Sequence, residues 1–94
     1  MDRVFVGEEY LALENKRVAL LKYFVLEQSK VMEETGDKIT TYGLEVEKWM
    51  GTNVEKNFVN DVTTKKEEAT NIIDCLRKNR VMPIHLEDVV TDML

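Results

Sequence analysis

The chain has little of the residue types that mark secreted, membrane-bound or catalytic proteins. Its 94 residues include one cysteine, one histidine and one proline. A single cysteine forms no internal disulfide, whereas a secreted domain of this size usually needs several. No stretch approaches the ~18 consecutive apolar residues of a membrane span, and acidic residues interrupt the N-terminal apolar run before it resembles a signal peptide. We therefore expect a cytoplasmic protein with no membrane partner.

Basic residues are outnumbered. Thirteen Lys and Arg face eighteen Asp and Glu, which gives a formal net charge of −5. Most nucleic-acid-binding proteins rely on a basic footprint to displace counterions from phosphates. The one short basic cluster, residues 77–80, has no aromatic residue beside it for base stacking. A nucleic-acid partner is therefore not expected. The alternative hypothesis for the function is a regulator that acts on nucleic acid or on a DNA-binding protein.

The residues needed for catalysis are scarce. Cys75 and His85 are the only nucleophile and imidazole base to consider, and a cysteine hydrolase also needs oxyanion donors and an activating turn. Cys75 lies beside the apolar stripe of a predicted helix, and His85 follows the Pro83 break at a predicted helix cap. Acidic pairs such as Glu33-Glu34 fit solvated surface better than a metal site. We expect no enzyme activity, metal, cofactor or small-molecule substrate.

The composition that is present predicts one folded α+β domain over residues 1–94. Hydrophobic residues make up 44% of the chain and are spread along its whole length, which excludes a disordered chain. Strand patterns occupy residues 1–62 and helix patterns occupy residues 63–94. This segregation predicts an antiparallel β-meander of three to four strands, followed by two C-terminal helices packed on one sheet face.

The clearest strand pattern is a hairpin in the middle of the chain. In residues 40–48, apolar side chains alternate with polar ones, as in a half-buried strand. Gly51 can take the positive φ that a tight turn needs, and residues 54–62 form the return strand. Glu45 and Glu47 fall on the face opposite the apolar set, so we expect them to be solvated.

Residues 18–26 are apolar on both alternating sets, so they fit either a strand covered on both faces or a buried helix. Aromatic and β-branched residues favour the strand. A turn at residues 14–16 precedes it, and a long polar connection over residues 28–37 follows.

Two amphipathic helices are predicted after residue 63. Thr64 and Glu67 have capping-box spacing at the start of the first helix, whose apolar stripe ends at Leu76. The second helix is expected to begin with His85 as N-cap. Ile84 and Val89 then occupy the two positions of a hydrophobic staple.

The one functional feature that the sequence indicates is a surface for binding another protein. Helices cover one face of a meander, so a strand that is apolar on both sides needs a second cover, and a second copy of the chain would serve. Trp49, at a strand end, either closes the hairpin or is an exposed aromatic of the type enriched at interfaces. The predicted function is a non-catalytic interaction module or homodimer, with an interaction surface formed by Trp49, Leu21, Tyr23 and Val25.

Two segments carry a resemblance to a known family. Residues 41–46, Thr-Tyr-Gly-Leu-Glu-Val, and residues 79–92, which contain Pro-Ile-His-Leu-Glu-Asp-Val-Val, resemble short uncharacterised proteins from anaerobic spore-forming Gram-positive bacteria. The resemblance covers mainly residues 38–94. It implies a bacterial, cytoplasmic protein of unknown function and brings no catalytic residues with it.

Overall fold

The protein is a four-stranded antiparallel sheet with two helices on one face, in a computed structural model that describes residues 2–94. The strands are β1 (Asp2–Ala12), β2 (Val18–Val31), β3 (Lys38–Met50) and β4 (Asn53–Thr63), and they lie in the order β1-β2-β3-β4. The helices are α1 (Lys66–Lys78) and α2 (Leu86–Met93), joined through a 3₁₀ turn at Pro83–His85. The predicted α+β meander with two C-terminal helices is confirmed. Neither helix is long and apolar enough to cross a bilayer.

The two-sided apolar segment is a strand, as predicted, and it lies in the centre of the sheet. β2 pairs with β1 along one side and with β3 along the other, so its backbone groups are satisfied from both directions. The strand is longer than expected because Val31 pairs with Lys38 across the hairpin. The predicted connection over residues 28–37 is therefore only a turn at residues 32–37, where Gly36 takes a positive φ of 73°.

The core lies between the sheet and the helices. Odd-numbered residues of β2 and even-numbered residues of β3 face the helices, and the apolar stripe of α1 covers them. The buried members are Leu21, Tyr23, Val25, Leu44, Val46, Ala69, Ile72, Ile73, Leu76, Leu86 and Val90. The α1 stripe was predicted correctly. In α2 only Leu86 and Val90 are buried, and the end of the helix is exposed.

The predicted N-cap residue of α1 is wrong, and that of α2 is right in position but makes no capping contact. β4 continues to Thr63, so Lys65 is the N-cap residue of α1 and makes no side-chain cap hydrogen bond. The Thr63 hydroxyl instead accepts a hydrogen bond from the Lys65 amide at 3.1 Å. His85 is the N-cap residue of α2 but likewise makes no side-chain cap bond, because a 3₁₀ turn leads directly into the helix. Ile84, the first staple residue, is exposed.

Within residues 2–94, three hydrogen bonds attach the helical layer to the sheet. The Tyr23 hydroxyl donates to the Val81 carbonyl at 3.0 Å, from the centre of β2 to the chain just after α1. Asn57 of β4 donates to the Pro83 carbonyl at 3.2 Å, and Arg80 donates to the Tyr10 carbonyl of β1 at 3.1 Å. The helices are therefore held by directional bonds as well as by apolar packing.

Burial raises the pKa of Tyr23 to about 12; the negative charge of Glu9 adds to the rise and Arg80 opposes it. An unfolded tyrosine ionises near pH 10. The stability that the buried, neutral Tyr23 hydroxyl contributes to the fold is therefore present below pH 10 and is lost between pH 10 and 12. We expect the wild-type free energy of unfolding to fall by on the order of 2–3 kcal/mol across this window. Tyr23→Phe should lower stability at neutral pH by about 1 kcal/mol and abolish that part of the alkaline loss.

Urea unfolding followed by circular dichroism from pH 8 to 12 measures both effects. Tyr10→Phe is the matched control, since Tyr10 is exposed. An alkaline loss of equal size in wild type and in Tyr23→Phe would contradict the assignment.

Gly43 lies where β4 bulges toward β3, between the Tyr42–Thr63 and Leu44–Val59 pairs. A Cβ added there would come within 2.4 Å of the Val59 carbonyl oxygen, a backbone atom that cannot rotate aside as the end of a flexible side chain can. At Gly7 an added Cβ would meet the flexible Arg77 side chain at 3.0 Å.

We expect Gly43→Ala to destabilise the fold by about 1–3 kcal/mol, and more than Gly7→Ala does. Thermal unfolding of the two variants makes the comparison. Equal melting temperatures would show that β4 shifts freely at the bulge.

Candidate functional site

The candidate site is the sheet face that the helices leave uncovered. Strand register places its side chains in three neighbouring rows that each cross all four strands. The charged row is Glu8, Lys22, Glu47 and Lys56; the phenylalanine row is Phe5, Phe24, Glu45 and Phe58; the tryptophan row is Tyr10, Leu20, Trp49 and Val54. We call these three rows, together with Arg3 and Leu26 beside the phenylalanine row, the open face.

Aromatic side chains are concentrated on the open face. The protein has three Phe, three Tyr and one Trp, and the rows contain every Phe, the Trp and Tyr10. Phe5 is 53% exposed and Phe58 is 56% exposed. Such side chains bury large apolar areas when a partner covers them. Their exposure on one surface therefore leaves a large apolar area that binding could remove from water.

Arg3 organises the phenylalanine row. Its guanidinium carbon lies 3.7 Å from the centre of the Phe24 ring, and Phe5 packs edge-on against Phe24 with ring centres 5.6 Å apart. The same guanidinium is 2.5 Å from Glu47 and 3.3 Å from Glu45. One cation therefore covers an aromatic ring and forms ion pairs with two carboxylates of β3.

The prediction that Glu45 and Glu47 are solvated is wrong. Their residues are only 9% and 7% exposed although no helix covers them. Each lies between a residue of β2 and a residue of β4 in its row, and Arg3 reaches over both. The cause is lateral crowding by large neighbours on a central strand, which a face-alternation rule does not include.

Trp49 is half-buried on the open face. The ammonium of Lys22 lies 4.8 Å from the centre of its indole ring, and the indole N–H donates to Glu47 at 3.2 Å. Both contacts link the tryptophan row to the charged row. The indole is therefore held in one orientation and presents a rigid surface.

The other three residues of the expected interaction surface lie on the opposite face. Leu21, Tyr23 and Val25 are buried in the core beneath the helices, so we correct the expected surface to the other alternating set of β2. The sequence showed that β2 is apolar on both sides but contained no signal for which side the helices cover. Phe5 and Phe58, on the outer strands, were missed because single aromatics in a strand do not reveal their neighbours.

A shallow groove of about 480 Å³ crosses the open face. It is lined by Arg3, Phe5, Glu8, Lys22, Phe24, Glu47 and Trp49. The lining combines aromatic rings and an arginine, which are enriched at protein interfaces, with Lys and Glu side chains, which are more typical of an interface rim.

The sequence candidates for chemistry lie outside this groove. Cys75 is exposed on α1, where the Asn79 amide donates to its carbonyl oxygen. His85 lies in the 3₁₀ turn before α2. Within residues 2–94, no group of three His, Cys, Asp or Glu side chains is arranged to hold a metal ion.

Comparison with known proteins assigns the family. The profile of a family of unknown function, DUF6514, matches residues 2–94. The chain belongs to this family. The match extends over the N-terminal strands as well as the segment of residues 38–94 that carried the resemblance. No curated protein and no solved structure matches the chain.

We expect Arg3→Ala to destabilise the protein because Glu45 and Glu47 would lose their shared cation. Removing one partner of a buried pair costs several kcal/mol, but Arg3 is itself partly exposed, so the expected loss is about 1–2 kcal/mol. Urea unfolding at fixed protein concentration measures it. Arg17→Ala, in the exposed β1–β2 turn, is the control; equal stability of both variants would remove Arg3 from this role.

Proposed function

We propose that this protein is a non-catalytic interaction module that binds protein through the open face. The observation that carries the proposal is the placement of five of its seven aromatic residues on the one sheet face that the helices leave uncovered. Exposed apolar side chains grouped on one surface mark protein interaction sites.

The side chains of the open face hold one another in place, and this supports the proposal further. Trp49 is held by Lys22 and Glu47, and Phe24 lies under Arg3. A side chain already fixed in place loses little conformational entropy on binding. Aromatic and arginine side chains are also the types that dominate binding energy at interfaces.

Binding to nucleic acid through residues 77–80 has weaker support. Arg77 is 3.5 Å from Glu9 and 3.6 Å from Asp74, and Arg80 donates to the Tyr10 carbonyl. Both arginines thus attach α1 to β1. Together with the net charge of −5, this favours a protein partner.

We also propose that the protein is bacterial and cytoplasmic. The resemblance to proteins of spore-forming bacteria supports the origin. The exposed free thiol of Cys75 fits a reducing compartment, where thiols stay reduced.

Site-specific photo-crosslinking in the native host tests the proposed function. A benzophenone side chain replaces Phe58, which is exposed on the open face, or Ile84, which is 74% exposed at the 3₁₀ turn. We expect light-dependent protein adducts from position 58, either with the same chain or with another protein, and few from position 84. Adducts of equal yield at both positions, or none at position 58, would contradict the proposal.

A further inference from the structure

The charges of the open face balance, although the protein as a whole has a net charge of −5. Its rows and their continuation toward the β2–β3 turn carry four basic residues, Arg3, Lys22, Lys30 and Lys56, and four acidic residues, Glu8, Glu45, Glu47 and Asp61. Lys30 pairs with Asp61, which also accepts a hydrogen bond from Thr41 at 2.7 Å. The whole net negative charge therefore lies on the rest of the molecule.

The balance favours one way for two copies to approach. Contacts through the other surfaces bring like net charges together, which is unfavourable. Contact through the open face does not. The aromatic rows supply apolar area at the same place.

The charged row alternates in sign along its length: Glu8 on β1, Lys22 on β2, Glu47 on β3 and Lys56 on β4. Consider two copies stacked face to face and related by a two-fold axis parallel to the strands. That rotation reverses the strand order, so β1 lies over β4 of the second copy and β2 lies over its β3. The exposed charges at the two ends of the row then meet the opposite sign, because Glu8 lies over Lys56 of the second copy. Lys22 lies over Glu47, which Arg3 already covers.

The other in-plane two-fold axis, along the charged row, gives the reverse result. It keeps β1 over β1 and places each charge on its own equivalent. Like charges in direct opposition destabilise an interface. The row therefore selects the axis parallel to the strands, which is also compatible with the nearly aligned packing of sheets in β-sandwiches.

The same axis also brings apolar side chains of the two flanking rows together. Phe5 lies over Phe58 of the second copy, and Leu20 lies over its Trp49. Four strands of at least 11 residues, spaced about 4.8 Å apart, present a face on the order of 700 Å². A stable interface buries ~800 Å² per partner, so a dimer needs nearly the whole uncovered side of the sheet, of which the open face is the central part.

We propose that the open face binds a second copy of the chain, forming a two-fold symmetric sandwich of two sheets with the helices outside. This inference rests on the proposed function, because it names the partner of the same surface. It assigns Glu8 and Lys56 as residues that determine the orientation of the two copies.

Charge exchange between two variants tests the geometry. Lys56→Glu places like charges opposite each other twice in its homodimer, and Glu8→Lys does the same in its own. In the mixed dimer both contacts are between opposite charges again. Glu8 and Lys56 are exposed, so neither change disturbs the core, and circular dichroism checks that each variant is folded.

Analytical ultracentrifugation of the purified protein should show a species of twice 11.0 kDa for wild type. Each variant alone should dimerise at least about tenfold more weakly, and an equimolar mixture should recover the dimer at low salt. The control pair, Glu33→Lys in the β2–β3 turn and Lys66→Glu at the start of α1, makes the same changes of charge away from the open face. It should dimerise like wild type, alone and mixed.

Two results overturn the inference. A wild-type monomer at high micromolar concentration excludes a second copy as the partner; adducts of position 58 with a different protein would then leave the proposed function standing. A wild-type dimer in which the two variants gain nothing from being mixed excludes the proposed axis.

Discussion

The structure depends on one constraint: two short helices cover only one face of a four-stranded sheet. β2 has large apolar side chains on both faces, because the strand lies in the middle of the sheet and packs on each side. One set, which includes Leu21, Tyr23 and Val25, forms the core with α1 and α2. The other set, which includes Leu20 and Phe24, has no second layer. The composition of the open face is the consequence of that imbalance.

The open face reduces its exposure to water with its own side chains. Arg3 lies over Phe24 and reaches Glu45 and Glu47, while Lys22 lies over Trp49. Long cationic side chains cover apolar surface with their stems and keep their charges paired. This arrangement keeps the centre of the face compact but leaves the phenylalanines of the outer strands exposed. An interaction surface at this place thus combines a rigid centre with an apolar rim.

The rows exist because of the strand register, which includes a shift in β1 between Phe5 and Gly7 that places Phe5 and Glu8 on the same face. The turn at residues 14–16 and the two-residue turn at Gly51 set which residues of neighbouring strands lie side by side. A slip of one residue in β3 would move Glu47 and Trp49 to the helix side and place core residues in water. The core therefore enforces the register, and the register assembles the charged row from four separate strands. The function proposed for the open face is a by-product of how the core is built.

Much of the fold could be read from local patterns. Period-two alternation located β3 and β4, β-branched and aromatic content identified β2, and helical spacing identified the buried stripe of α1. The N-cap of α1 was missed because it depends on where β4 ends, and the length of β2 was missed because it depends on pairing with Lys38. Each error comes from a long-range contact that overrides a local preference.

The sequence by itself determined the α+β class, the order of the elements and the two-sided apolar character of β2, since these follow from spacing along one chain. Only the tertiary structure decided which side of β2 the helices cover, that Glu45 and Glu47 are buried, and that Glu8, Lys22, Glu47 and Lys56 form one row. Those properties depend on residues far apart in sequence, and they arise only when the strands pair in register and the helices settle on one face.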